Sequence, residues 1–158
     1  MMTIEQVATL ATFGVIWAVL AVGHNLADHV LGQTDRQAAG KAAPSATDVA
    51  SGTNPRQGWG ACLAHVARYH LVMAALVALA WSALPLELSW PGLVAGLTVS
   101  VSTHAFFDRR WPVRWILEHS GSANFAQLKT AGMNGMYLAD QALHQTALLV
   151  SALLITLV

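Results

Sequence analysis

The apolar positions of this chain gather into four long runs separated by polar connections. The first covers about 4–22, "IEQVATLATFGVIWAVLAV", and the second about 62–84, with its purely apolar part at "LVMAALVALAWSAL". The third covers about 92–107, "GLVAGLTVSVSTHAFF", and the fourth about 136–158, ending "ALLVSALLITLV". A helix needs roughly 20 mostly apolar residues to cross a bilayer. The first and fourth runs reach that length alone, and the second and third reach it with their polar ends. The first run reads as a span, not a secretory leader, because no Lys or Arg precedes it and no small-residue cleavage site is evident.

The connections fit this division. Residues 40–60, "GKAAPSATDVASGTNPRQGWG", read as a flexible polar loop. Asn54 followed by Pro55 is placed to cap and start the second helix. "PLELSWPG" at 85–92 is a short turn between prolines. Residues 109–135 form a longer connection, and a short interfacial helix is expected at about 113–129. The expected fold is all-α: a polytopic membrane protein, one domain over 1–158, with four transmembrane helices in an up-down bundle.

Composition sharpens the picture. The chain is 55% hydrophobic and 10% charged, whereas a soluble domain carries about 25% charged residues. The net charge of zero gives no reason to expect nucleic acid as a partner. Cys62 is the single cysteine, so no internal disulfide can form.

Charge also orients the bundle. Arg36, Lys41, Arg56, Arg68, Arg109, Arg110, Arg114 and Lys129 are all the basic residues, and each falls between runs one and two or between runs three and four, counting Arg68 in the polar start of the second run. Basic connections mark the cytoplasmic side. Both termini are then expected outside an inner cell membrane, with the polar loops in the cytoplasm. Trp59, Trp111 and Trp115 would mark the inner interface, and Trp81 and Trp90 the outer one.

Against this background three short motifs stand out: "HNLADH" at 24–29, "HAFFD" at 104–108 and "DQALH" at 140–144. Each holds a His and an Asp four apart, which shares one helix face. Simple counting for this composition gives roughly 0.7 such pairs. In an up-down bundle His24, Asp28, His104, Asp108, Asp140 and His144, together with His65 at the start of the second helix, lie at one level near the cytoplasmic boundary. His24 to His104 and Asp28 to Asp108 are each 80 positions apart and His65 to His144 is 79, a hint of a duplicated hairpin. Ionisable groups at membrane depth cost roughly 2.5–3.5 kcal/mol each and mark function by default.

Imidazole and carboxylate together ligate first-row divalent metals. His24, Asp28, His65, His104, Asp108, Asp140 and His144 are therefore candidate ligands, with zinc first and manganese or iron as the other expectations. Asp108 and Asp140 are also candidates for base or ligand orientation, and Tyr69 for donation into the site. Gln33, Thr34 and Asp35 could close it from the loop. Arg68, Arg109, Arg110 and Arg114 are placed to receive the anionic group of a lipid-like substrate, or only to fix topology. His29, His70 and His119 are expected at the surface.

Three readings follow. One is a metal-dependent hydrolase acting on a phosphate-bearing or lipid-like substrate. Another is a metal-ion or proton transporter. The third is a non-catalytic membrane module.

The blocks "HNLADHVLGQTDRQAAGK", "HAFFDRRWPVRWILEHSGS" and "YLADQALH" resemble those of an uncharacterised bacterial and phage membrane protein family, a domain of unknown function. The family pattern falls on His24, Asp28, Gln33, Thr34, His65, His104, Asp108, Asp140, Gln141 and His144. The resemblance implies a polytopic membrane protein and no particular activity. A more distant similarity, to membrane-bound metal-dependent hydrolases, is one of analogy.

Overall fold

The computed structural model describes residues 1–31 and 34–158. The chain is 75% helical and nearly all-α. Helix α1 spans Ile4–Asn25 and opens with a capping box, in which Thr3 Oγ1 accepts from the Gln6 N–H and Gln6 returns the bond to the Thr3 N–H. A π-helical turn, Leu26–Val30, continues it. Two short helices follow, α2 (Asp35–Gly40) and α3 (Ala46–Ala50). Then come α4 (Trp59–Ala83), α5 (Trp90–Phe107), α6 (Trp111–His119), α7 (Ala123–Ala126) and α8 (Gly135–Leu157). Between α7 and α8 the strands β1 (Lys129–Thr130) and β2 (Met133–Asn134) pair antiparallel. Ala131 and Gly132 turn between them, both at positive φ.

Three helical stretches, Ile4–Val30, Trp59–Ala83 and Gly135–Leu157, are long and apolar enough to cross a membrane. Helix α5 has 18 residues and is not among them. Thr98, Ser100, Ser102, Thr103 and His104 dilute its apolar character.

Two expectations about the connections change. Asn54 does not cap α4. Its Oδ1 accepts the Arg56 N–H at 2.9 Å in a local turn, and the helix starts only at Trp59. Within 40–60 the helix α3 forms, because Ser45 and Asp48 make a second reciprocal capping box. The expected interfacial segment holds α6 and α7, with Pro112 in the first turn of α6, where its missing N–H costs nothing.

The chain divides into two compact units. One comprises Met1–Gln33, Ala67–Ser102 and Thr146–Val158, and the other Thr34–Val66 and Thr103–Gln145. The core of the first is built by Ile16, Leu20 and Ala27, by Tyr69 and Met73 of α4, and by Leu148, Ala152 and Ile155 of α8. Its interior also holds polar residues: Thr12, His24, His70, Ser100 and Ser151 are buried, while Leu10, Leu71, Leu79, Val94 and Leu97 are exposed. Exposed apolar surface around buried polar groups suits a hydrocarbon solvent and not water. The second unit has a smaller core of Val113, Leu117 and Ala126, with Phe107, Met136, Ala139 and Leu143 packed on it.

Candidate metal centre

In the first unit the site residues meet where α1 passes into the π turn. His24 and Asp28 are buried and His29 is exposed. One ligand atom from each of the three lies within 4.8 Å of the others. The π turn accounts for the presence of His29. Leu31 N–H donates to Leu26 O at 2.9 Å, five residues back, and the widened turn carries His29 toward His24, with ring centroids 6.0 Å apart. His29 Nδ1 stands 3.7 Å from Asp28 Oδ2. The surface assignment of His29 thus holds for its exposure and misses its neighbours. Tyr69, fully buried, hydrogen-bonds His24 Nδ1 through its hydroxyl at 3.0 Å and fixes the orientation of that ring. His70 is not a surface residue. It is buried edge-on against Tyr69, with Nε2 2.9 Å from Ser100 Oγ.

In the second unit the start of α4, the end of α5 and the start of α8 supply the ligands. His65 Nε2 lies 3.1 Å from His104 Nε2. Asp108 Oδ2 lies 3.6 Å from His65 Nε2 and 3.4 Å from His104 Nε2. Asp108 Oδ2 makes no hydrogen bond among the described residues. Four ligands about 2.0–2.1 Å from a tetrahedral zinc stand about 3.3–3.4 Å from one another. The three observed edges bracket that separation, so these atoms are spaced as one face of a tetrahedral set would require.

His144 is grouped with two of these residues. Its ring meets that of His104 edge-on at 4.5 Å, and ligand atoms of His104, Asp108 and His144 lie within 4.8 Å of one another. His144 Nδ1 is 2.8 Å from the Asp140 carbonyl oxygen. A carbonyl only accepts, so Nδ1 carries the proton and Nε2 the lone pair that a metal needs. The Asp140 carboxylate stands 3.7 Å from the same Nδ1 and is 20% exposed. It receives the Gln141 amide at 3.4 Å and lies at the margin of the group.

The remaining candidates are dispersed. Arg109 is buried, donating from Nη1 to Lys41 O at 2.8 Å and from Nη2 to Gln57 O at 2.6 Å, with its guanidinium over the Trp59 ring. Arg110, at φ 64°, donates to Ala38 O at 2.6 Å. These two arginines hold the 38–57 connection. Arg68 and Arg114 are exposed. Thr34 caps α2 by accepting the Gln37 N–H, and Asp35 begins that helix. Gln33 lies outside the described residues. His119 is exposed on α6, stacked on Trp115.

One residue at the centre was counted from the sequence only as a topological charge. Lys41 is buried with Nζ 2.7 Å from Asp108 Oδ1. No local pattern announces this pair, which the folding of the 38–57 connection brings about. Burial works against ionisation of Asp108, but the facing His104 ring and the Lys41 ammonium outweigh it and hold the carboxyl down to about 2.

No family model matches the chain, and neither a curated protein nor a solved structure does. The chemistry of the site therefore rests on its own geometry.

Proposed function

We propose that this chain is an integral membrane protein whose buried His/Asp group binds a divalent metal, zinc first among the candidates, for hydrolysis of a phosphate-bearing or lipid-like substrate. One observation carries the reading: the triangle of His65 Nε2, His104 Nε2 and Asp108 Oδ2, with edges of 3.1, 3.4 and 3.6 Å. His144 completes the set, with Asp140 behind it. A bound divalent ion would supply Lewis acidity toward a phosphoester or acyl bond. Asp108 holds the ligand geometry through Oδ2 while Lys41 grips Oδ1. The lipid-like substrate follows from siting such a group among apolar helices. In this reading α5 is a fourth span, both termini lie outside an inner membrane, the basic connections are cytoplasmic, and the resemblance to a bacterial and phage membrane family is one of descent.

Metal analysis tests it. Purified protein should retain about one or two equivalents of a first-row divalent metal. His104→Ala should lose most of it, and His119→Ala should retain it. A metal-free wild type, or a His104→Ala variant as fully loaded as wild type, refutes the reading. Asp108→Asn should impair turnover of a phospholipid-like substrate more than it impairs folding.

Transport is the second reading, favoured by the buried His70–Ser100 pair inside apolar helices. Metal- or proton-coupled flux in vesicles without product formation would select it.

A further inference from the structure

The charge balance of the interior points beyond metal binding alone. Among the described residues of the second unit, the charged side chains around this group are the buried Asp108, Lys41 and Arg109 and the part-buried Asp140, two carboxylates and two cations. Their charges already cancel. His65, His104 and His144 would ligate as neutral imidazoles. A divalent ion would therefore bring two positive charges into a region with no surplus negative charge, and an uncompensated buried charge is strongly unfavourable. Lys41 cannot easily withdraw to relieve this. Its carbonyl is held by Arg109, the neighbouring Ala43 N–H donates to Arg109 O, and Arg110 holds Ala38. Gly58 packs so closely here that a Cβ would stand 2.5 Å from Ala42 O and 2.7 Å from Gly40 O.

We propose that the metal at His65, His104, Asp108 and His144 is taken up together with a phosphate-type anion, and that Lys41, by neutralising Asp108, imposes this requirement. The inference rests on the metal reading above and gives it a substrate class. The anion supplies the negative charge that Asp108 has given to Lys41. Metal and phosphate then enhance each other's binding by the same factor, as linkage requires. The phosphate of a lipid headgroup and free inorganic phosphate offer the same chemistry.

The test is zinc affinity of the full-length purified protein, with free zinc held by a chelator below the level at which zinc phosphate precipitates. Three conditions are compared at matched ionic strength: chloride alone, added inorganic phosphate, and nanodiscs of phosphatidylglycerol in place of phosphatidylcholine. Phosphate or phosphatidylglycerol should tighten zinc binding about tenfold or more, within the 5–150-fold usual for coupled sites. Whichever does so identifies the source of the anion. Lys41→Gln should bind zinc about tenfold more tightly in chloride alone and lose most of the enhancement. Lys41→Arg should keep it.

Wild-type affinity indifferent to both phosphate sources overturns the coupling, as does a folded Lys41→Gln that binds zinc no better than wild type in chloride. His104→Ala separates the two failures. If it abolishes zinc binding while phosphate has no effect, only the coupling fails. If it binds zinc like wild type, the metal reading fails and the coupling with it.

Discussion

Among single residues, Lys41 and Asp108 carry the sharpest consequences. Both are buried, with Nζ–Oδ1 at 2.7 Å. Removing one partner of a buried pair costs about 3–5 kcal/mol, because the survivor is left charged and unpaired, whereas replacing both by apolar residues is often neutral. Lys41→Met should therefore lower the stability of the metal-free protein by about that amount, and Lys41→Met/Asp108→Leu by much less, as read from thermal melting. The pair also sets a pH dependence. The folded carboxyl lies at about 2, below its ordinary 3.8. A depressed value stabilises the fold above the unfolded pKa, and the gain is lost as pH falls from about 4 through about 2. It amounts to roughly 2 kcal/mol. Asp108→Asn should flatten that acid limb in the metal-free protein. The grouping of His104, Asp108 and His144 was legible from spacing, because residues four apart on a helix share a face wherever the helix goes, and that of His65 from its place at the polar start of the second run. Lys41 was not, since its partner is distant in sequence and its connection has no period. His70 was misread for a related reason: a histidine in an apolar run shows its burial only when a hydroxyl, here that of Ser100, turns to meet it.

At the scale of elements, α5 and α8 are fitted together by two glycines. A Cβ at Gly92 would stand 2.7 Å from Ile155 O, and one at Gly96 would stand 2.5 Å from Ile155 Cγ1 and 2.8 Å from Ser151 O. Backbone oxygens cannot swing aside as side chains do. The spacing is Gly-x-x-x-Gly, which lets membrane helices approach closely where no hydrophobic effect drives them together. Gly96→Leu should separate α5 from α8 and lower the melting temperature of the detergent-solubilised protein, at a cost of about 1–3 kcal/mol for overpacking. Gly14→Ala, with nothing within 4 Å of the added Cβ, should be neutral or stabilising by up to about 1 kcal/mol. Equal effects from the two substitutions would remove the packing argument. The four long helices were readable because each rests on an apolar run, with ends displaced by only a few residues. The π turn was not, for a change from four-residue to five-residue bonding leaves no mark in "LADHV", and with it went the placing of His29. The β1–β2 hairpin was equally silent, because Ala131 stands at a positive-φ position where Asn or Gly would have announced the turn.

For the whole molecule, the disposition of polar and apolar surface decides between water and lipid. Leucines and valines cover the outside of the first unit while histidine, serine and threonine are enclosed, an inversion that composition foreshadowed and burial makes explicit. What composition leaves open is how many times the chain crosses. Three helices are long and apolar enough by themselves. The fourth, α5, is shorter, yet its glycines lie against α8, and that contact gives its backbone a neighbour at depth. The count has a parity that can be measured. An odd number of crossings places Met1 and Val158 on opposite sides of the membrane, and an even number places them on the same side. The eight basic residues, seven in two of the connections and Arg68 in the first turns of α4, then say which side, since Lys and Arg near span ends remain in the cytoplasm. Reporters fused at Met1 and at Val158 should both be active outside the cytoplasm, and a cysteine introduced at Glu87, in the α4–α5 connection, should react there with a membrane-impermeant thiol reagent. A cytoplasmic reporter at one end alone would give an odd count and leave α5 as a helix that enters without crossing. Cytoplasmic reporters at both ends would instead keep four crossings and reverse them, and Lys41, His65 and Asp108, which lie together, would take their substrate from the other leaflet.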